Sequence, residues 1–389
     1  MHELDWQPAK AIFVTFQVLS LLIRIPLWIV FAVPKWSRPR RSWSIKRTLG
    51  LHLLNWNIDM IRRTGPLRLI PDHYSITPGL DTQGIWIPAV AEDLLSEEIQ
   101  SLAQKNNVKP SRIPGYWLHP KESSIPFGAP PIPGEKVLLM FHGGAYIRLS
   151  GHPDDLTGAI GRGFLEKVPA IQRVFSVEYR LSKHGHNGFP AALFDAISGY
   201  LFLVNQAGYS PSQIILGGDS AGGNLALALT RYLVNNKGMA GLPDVPSTLV
   251  LLSPWADAGV SHVGRGSMVS NAGSDYVGCT ETAVYAVTVF CGKLGTDIAN
   301  TNPYLSPASV DPRMKMDFKG FPPTFIVCGG AEILADSIRS LRDKMSKDLG
   351  DKLGYEEPPD AWHDYMCMPA FEPERSETYK RIASWLAEI

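Results

Sequence analysis

The sequence predicts an α/β fold, with a mostly parallel central sheet flanked by helices and a helical cap. Three observations predict it. From Val137 onward, short continuous apolar runs recur, each too brief for a helix and bounded by turn residues. Helix-length segments separate these runs, and strands that alternate with helices build parallel sheets covered on both faces. One run, Gln213-Ile214-Ile215-Leu216, passes through Gly217-Gly218-Asp219-Ser220-Ala221-Gly222-Gly223 directly into a helix-like stretch, Asn224 to Leu229.

In chain order, Ala11 to Val33 comes first and is almost entirely apolar. It is about long enough to cross a bilayer, although Arg24 and Pro26 interrupt it. Trp28 and Trp36 are placed to sit at an interface. A cleaved signal peptide fits poorly, because Glu3 and Asp5 accompany Lys10 in the leader and no small-x-small site follows. The expectation is a membrane anchor or interfacial helix; the alternative is an apolar helix packed on the domain. Lys35, Arg38, Arg40, Arg41, Lys46 and Arg47 follow at once. By the positive-inside rule they keep the rest of the chain cytosolic, and the absence of an N-x-[ST] sequon agrees. The same residues could instead hold anionic headgroups.

Leu51, Leu54, Ile58 and Ile61 predict a helix over Leu49 to Met60. Prolines and glycines then break the chain up to Pro88, and Ala91 to Lys105 reads as a helix. Ser123 to Gly134 is a Pro-rich loop. Predicted strands follow at Val137 to Phe141, Val174 to Val177, Ile214 to Leu216, Thr248 to Leu252 and Thr324 to Cys328. Predicted helices are Ala191 to Ala207, Ser220 to Asn235, Ser337 to Leu349 and Glu374 to Leu386. The organisation expected is an anchor and basic segment at 1–48, a helical cap segment at 49–110 and a catalytic domain at 111–389. A second cap piece is inserted at about 256–300.

Lys+Arg 37 balances Asp+Glu 37, so no basic field points to nucleic acid as a partner. The 4 cysteines lack zinc spacing. Cys328 reads as a small core residue, and a Cys279–Cys291 pair is left open. The oligomeric state is not set by the sequence.

The strand–G-x-S-x-G–helix order is a nucleophile elbow. A serine at so tight a turn needs small neighbours two positions away, and Gly218 and Gly222 supply them around Ser220. The following helix start offers the Ala221 N–H and a positive dipole end. Directly after the Val137 strand comes His142-Gly143-Gly144-Ala145-Tyr146. Consecutive glycines let the backbone approach a substrate and aim N–H groups at a developing oxyanion. Candidate donors are Gly143, Gly144, Ala145 and Ala221, of which not all four are required. The base expected is His363; the other histidine downstream of Ser220, His262, falls in the insertion. The acid that orients it lies past the Thr324 strand, where Glu332 and Asp336 compete. Glu332 comes earlier in the loop and is favoured, while Asp336 is placed to cap the next helix. Such a site needs no cofactor and no metal.

These segments together resemble the hormone-sensitive-lipase-like esterases, the α/β-hydrolase fold-3 group, over roughly residues 110–389. The residues that carry the resemblance are HGGAY at His142, Glu178-Tyr179-Arg180-Leu181 with Gly188-Phe189-Pro190-Ala191-Ala192, GDSAGGNLALAL from Gly218, and Leu252-Ser253-Pro254-Trp255-Ala256-Asp257. The family usually has HGGG, YRLAPE and an acid in D-P-L-x-D. Here Ala145 stands fourth, Ser182-Lys183-His184 replaces APE, and Glu-Ile-Leu-Ala-Asp places Glu332 at the acid position. The resemblance implies an α/β-hydrolase fold and ester hydrolysis through an acyl-enzyme, with a cap built from the N-terminal segment and the insertion. The apolar N-terminus is similar to the membrane-anchored arylacetamide deacetylases and fungal sterol deacetylases of the endoplasmic reticulum. That similarity implies a lipophilic small-molecule ester substrate, often an acetate, and commonly a lumenal catalytic domain, against the charge reading. HGGAY also resembles the HGGxW loop of kynurenine formamidases, which keeps amidase chemistry as an alternative. Acyl transfer to an alcohol in natural-product biosynthesis is another. Gibberellin receptors share the scaffold without the catalytic histidine, whereas His363 is present here.

Overall fold

The computed structural model describes residues 6–67, 70–79, 81–278, 280–369 and 371–389. Cys279 lies outside them; Cys291, Cys328 and Cys367 are buried free thiols. Eight strands form one sheet in the order β1 (Thr82–Ile87), β2 (Ile113–Leu118), β4 (Ile171–Val177), β3 (Lys136–Phe141), β5 (Ile214–Asp219), β6 (Thr248–Leu252), β7 (Thr324–Val327) and β8 (Leu353–Glu356). β2 pairs antiparallel with both β1 and β4, and every pairing from β4 to β8 is parallel.

The helices are α1 (Gln7–Ala32), α2 (Ile45–Thr64), α3 (Glu97–Asn106), α4 (Gly158–Lys167), α5 (Ala191–Asn205), α6 (Ala221–Asn235), the short α7 (Ser267–Ser270), α8 (Thr280–Cys291), α9 (Ala335–Leu349) and α10 (Glu374–Glu388). Side chains alternate across a strand, so each strand feeds two cores. Val137, Leu139 and Phe141 of β3 join the core that holds α5, α6 and α9. Leu138 and Met140 face the opposite core, with α4 and α10.

Four differences from the sequence reading have physical causes. The helix expected from Ala91 begins at Glu97, because extended Ser96 is its N-cap and Glu97 and Glu98 occupy the dipole-favoured first turn. The 49–110 segment is not helical throughout: β1 lies inside it and closes the sheet edge against β2. β2 was obscured by Pro114 and Gly115, which read as breakers. Pro114 still accepts from the Glu178 N–H, and a Cβ at Gly115 would meet the Phe175 ring at 2.4 Å. β8 is short and half-buried, without the apolar run that betrays central strands.

α1 is 26 residues long with a mean hydropathy of 2.0 over its most apolar window, and none of that window is buried. It is long and apolar enough to span a membrane or to serve as a signal sequence. α1 packs along α2, where Trp28 stacks on His52 at 5.3 Å and the Trp56 Nε1–H donates to Gln17 Oε1.

Candidate active site

The site lies at the C-terminal ends of the parallel strands, where open α/β sheets place their ligand crevices. β5 ends at Asp219 and α6 starts at Ala221, leaving one residue for the whole reversal. Ser220 takes φ 50 and ψ −116 there. Such strained backbone persists only where the surroundings over-determine it. The Ser220 N–H donates to Leu252 O, while its carbonyl accepts from Trp255 N and Asn224 N. A Cβ at Gly218 would stand 2.2 Å from Gly222 O, and one at Gly222 would stand 2.0 Å from Phe141 O. The two glycines are therefore steric requirements of the turn.

Three side chains from distant loops converge. His363, on the loop after β8, places Nε2 3.0 Å from Ser220 Oγ. Its Nδ1 is 2.6 Å from Glu332 Oε2, on the β7–α9 loop. Glu332 is fully buried, and its other oxygen accepts the Gly329 N–H at 2.6 Å. Asp336 does not join them. It opens α9 half-buried, accepting from the Ser267 N–H and from Arg339.

The loop after β3 also sorts its candidates. The Gly143 N–H is already given to Asp219 Oδ2 at 3.0 Å, which removes it from the four expected donors. The N–H groups of Gly144, Ala145 and Ala221 have no hydrogen-bond partner among the described residues. Gly144 has φ 108, Ala145 φ 56 and Tyr146 φ 61, all in the left-handed half of backbone space. The loop is pinned by Tyr146, whose hydroxyl donates to Asn224 and whose ring stacks on Phe290 of α8 at 4.0 Å.

Electrostatics centre on the imidazole. Burial disfavours the His363 cation, but the adjacent Asp364 and then Glu332 outweigh it and raise its pKa well above the ordinary value. Burial, reinforced by the charge of Asp364, holds the Asp219 carboxyl well above the usual range. Asp275 accepts the N–H groups of Ile333 and His363, so it ties both loops together. Burial pushes its pKa up to about 6. His142, stacked on Tyr179, is pushed down to about 4 by burial.

Sequence reasoning missed Asp219, Asp275 and Asp364 as members of this site. Asp219 and Asp364 flank the two expected side chains, so adjacency was an available signal. Asp275 comes from the insertion, 88 residues from His363, and had none.

The family model for the alpha/beta hydrolase fold matches residues 138–367, more than half of the chain. This chain belongs to that family, as a hormone-sensitive-lipase-like member, and is a carboxylic ester hydrolase. The hydrolase is 32% identical over 245 residues to an acetyl-hydrolase of Streptomyces hygroscopicus, covering 61% of this chain and 71% of that one. It is 27% identical over 257 residues to an esterase of Acinetobacter venetianus, covering 65% and 75%. A hormone-sensitive lipase from a metagenome library, known as a crystal structure, superimposes with a TM-score of 0.55 at 27% identity. That match covers 71% of the hydrolase and 82% of the other chain.

Proposed function

We propose that the hydrolase cleaves a short-chain acyl ester of a lipophilic alcohol, with Ser220 as nucleophile, His363 as general base and Glu332 as the group that orients the imidazole. One observation carries the reading: the Glu332–His363–Ser220 chain of contacts at 2.6 and 3.0 Å, built from three separate loops. Nδ1–H donates to Glu332, which leaves the Nε2 lone pair for the hydroxyl. His363 takes the Ser220 proton as Oγ attacks the ester carbonyl. The oxyanion is received by N–H groups among Gly144, Ala145 and Ala221. Collapse returns the proton from Nε2 to the departing alkoxide and leaves an acyl-serine. Water, deprotonated by His363, then releases the acid and regenerates Ser220.

A short acyl group is supported by the similarity to an acetyl-hydrolase. A lipophilic alcohol is supported by the aromatic surroundings, where Tyr146, Trp255 and Phe290 face one another and Tyr276 lies 6.0 Å from the His363 ring. α1 supports attachment to a membrane, with the endoplasmic reticulum as the expected site, and places such substrates within reach of the enzyme. Ser220→Ala tests the mechanism. Hydrolysis of p-nitrophenyl acetate and labelling by a fluorophosphonate should both disappear while circular dichroism stays unchanged. Retained turnover in the folded variant would overturn the assignment.

A further inference from the structure

His363 has a second carboxylate neighbour that the mechanism above leaves unused. Asp364 Oδ2 lies 3.1 Å from Nε2, the same ring nitrogen that faces Ser220 Oγ at 3.0 Å. Nε2 has one in-plane position for a proton or a lone pair. Ser220 Oγ is aligned with that position as a hydrogen-bond partner, and Asp364 Oδ2 stands beside it at ion-pair distance, so the two compete for the Nε2 proton.

The backbone holds Asp364 in that place. It adopts φ 49 and ψ 35, a left-handed conformation that Asp and Asn tolerate better than most residues. Its N–H donates to Ser253 Oγ at 3.2 Å, and the residue is buried. Beneath it lies Asp219. Asp219 Oδ1 and Asp364 Oδ1 are both buried without a hydrogen-bond partner. A carboxylate oxygen from each, together with Cys367 Sγ, falls within 4.8 Å of one another. Two carboxyl groups so close in a dry site do not both ionise. Burial and the charge of Asp364 hold the Asp219 carboxyl up, while for Asp364 the adjacent imidazole opposes the rise that burial causes.

We propose that Asp364 is a positioning residue that accepts the Nε2 proton of His363 in competition with Ser220, and so sets the acidic limit of the hydrolase's activity. The proposal rests on the Ser220, His363 and Glu332 roles given above. In the parked state His363 is a cation that donates Nδ1–H to Glu332 and Nε2–H to Asp364; it cannot accept the serine proton. Loss of the Nε2 proton to solvent returns the lone pair to Ser220. Because both carboxylates favour the cation, the parked state persists to higher pH than an ordinary histidine would allow.

Other groups face the same imidazole. Glu332 acts on it from the β7–α9 loop, Asp275 and Tyr276 from the insertion, Asp219 from the end of β5, and Cys367 lies nearby on its own loop. Neutralising Asp364 also relieves the charge that reinforces the raised pKa of Asp219, so the shift is compared with that of the same substitution in an Asp219→Asn background.

The experiment compares kcat/KM for p-nitrophenyl acetate against pH for the full chain in detergent, as wild type, Asp364→Asn and Asp364→Gly. Asn keeps the shape and tolerates the left-handed backbone, and Gly prefers it, so at least one variant retains the fold. In the wild type the acidic limb should lie above the ordinary histidine range. In both variants it should move to lower pH. At one unit below the wild-type midpoint, the retained fraction of plateau activity should then rise roughly threefold or more. Titration of isotopically labelled His363 by NMR in a Ser220→Ala background, with and without Asp364→Asn, gives the same shift independently of turnover. A limb that stays put or moves to higher pH overturns the proposal, as does a lowered plateau on an unmoved limb, which marks a structural role only. Turnover that survives Ser220→Ala would instead overturn the parent mechanism.

Discussion

The β5–α6 turn and the N-terminal helix α1 lie at opposite extremes of what folding can do with a side chain. Ser220 sits in strained backbone, and its own N–H, carbonyl and hydroxyl each have named partners: Leu252 O, Trp255 N, Asn224 N and His363 Nε2. α1 exposes Leu22, Ile12 and Phe31 to more than half of their full extent and buries only Ala32. The first region is specified by many short polar contacts across long sequence separations. The second is specified by its apolar composition and a few contacts with α2, and most of its surface is exposed. Mutations should therefore act on the two regions in different currencies: chemistry and cooperative stability for the loops, location for α1.

The largest effect that would sharpen the comparison comes from Glu332→Gln. The amide keeps the size and can still accept the Gly329 N–H, but it no longer carries the charge that holds Nδ1–H and stabilises the imidazolium. kcat should fall by roughly 10⁴-fold, as expected when the orienting acid of such a triad is neutralised. Near-ultraviolet circular dichroism should stay native. A loss below about tenfold would mean that the loops position His363 without Glu332.

Next in size is a stability effect. Arg180 and Asp195 form a buried pair in which the guanidinium meets both carboxylate oxygens, at 2.8 Å for the closest contact, and the Arg180 N–H donates to the same group. Arg180 follows Tyr179, whose hydroxyl donates to His142 O at the head of the loop after β3. Arg180→Ala leaves Asp195 buried and unpaired, a loss of about 3–5 kcal/mol. The urea midpoint should drop accordingly, with the slope unchanged. A shift under about 1 kcal/mol would show that the polar ties are redundant, which would weaken the contrast with α1.

What could be read from the sequence divides along the same line. The central strands were legible because a strand buried on both faces must be apolar throughout, as Val137 to Phe141 and Thr248 to Leu252 are. Ser220 was legible because the elbow's sterics leave no choice but Gly218 and Gly222. The edge strand β8 and the interior strand β2 were not, since β8 buries little and β2 carries Pro114 and Gly115. Within the site, motifs located His363 but could not tell that Gly143 spends its N–H on Asp219. They favoured Glu332 as the acid and Asp336 as a helix cap, but gave no sign that Asp336 accepts from Ser267. Those outcomes depend on register and on side-chain direction, which no local pattern encodes. Asp275 is the extreme case, because its partners Ile333 and His363 are 58 and 88 residues away.

The smallest effect on chemistry should come from the most apolar region. Among the described residues, the hydrogen bonds and ring contacts of α1 run to α2 and to the turn after it, and none reaches Ser220, Glu332 or His363. Removing residues 1–31 should leave kcat/KM for p-nitrophenyl acetate, a soluble substrate, within about twofold of the full chain. The cut exposes part of α2, so a modest fall in thermal midpoint is expected as well; a lost Trp28–His52 stack contributes about 1 kcal/mol at most. The large change should be in partition: the full chain should sediment with phospholipid vesicles and the shortened chain should stay in solution. Retention of the shortened chain on vesicles would relocate the membrane contact to the catalytic body and its basic segment. A large loss of activity toward the soluble ester would break the comparison from the other side, because it would make α1 a structural support of the loops it does not touch.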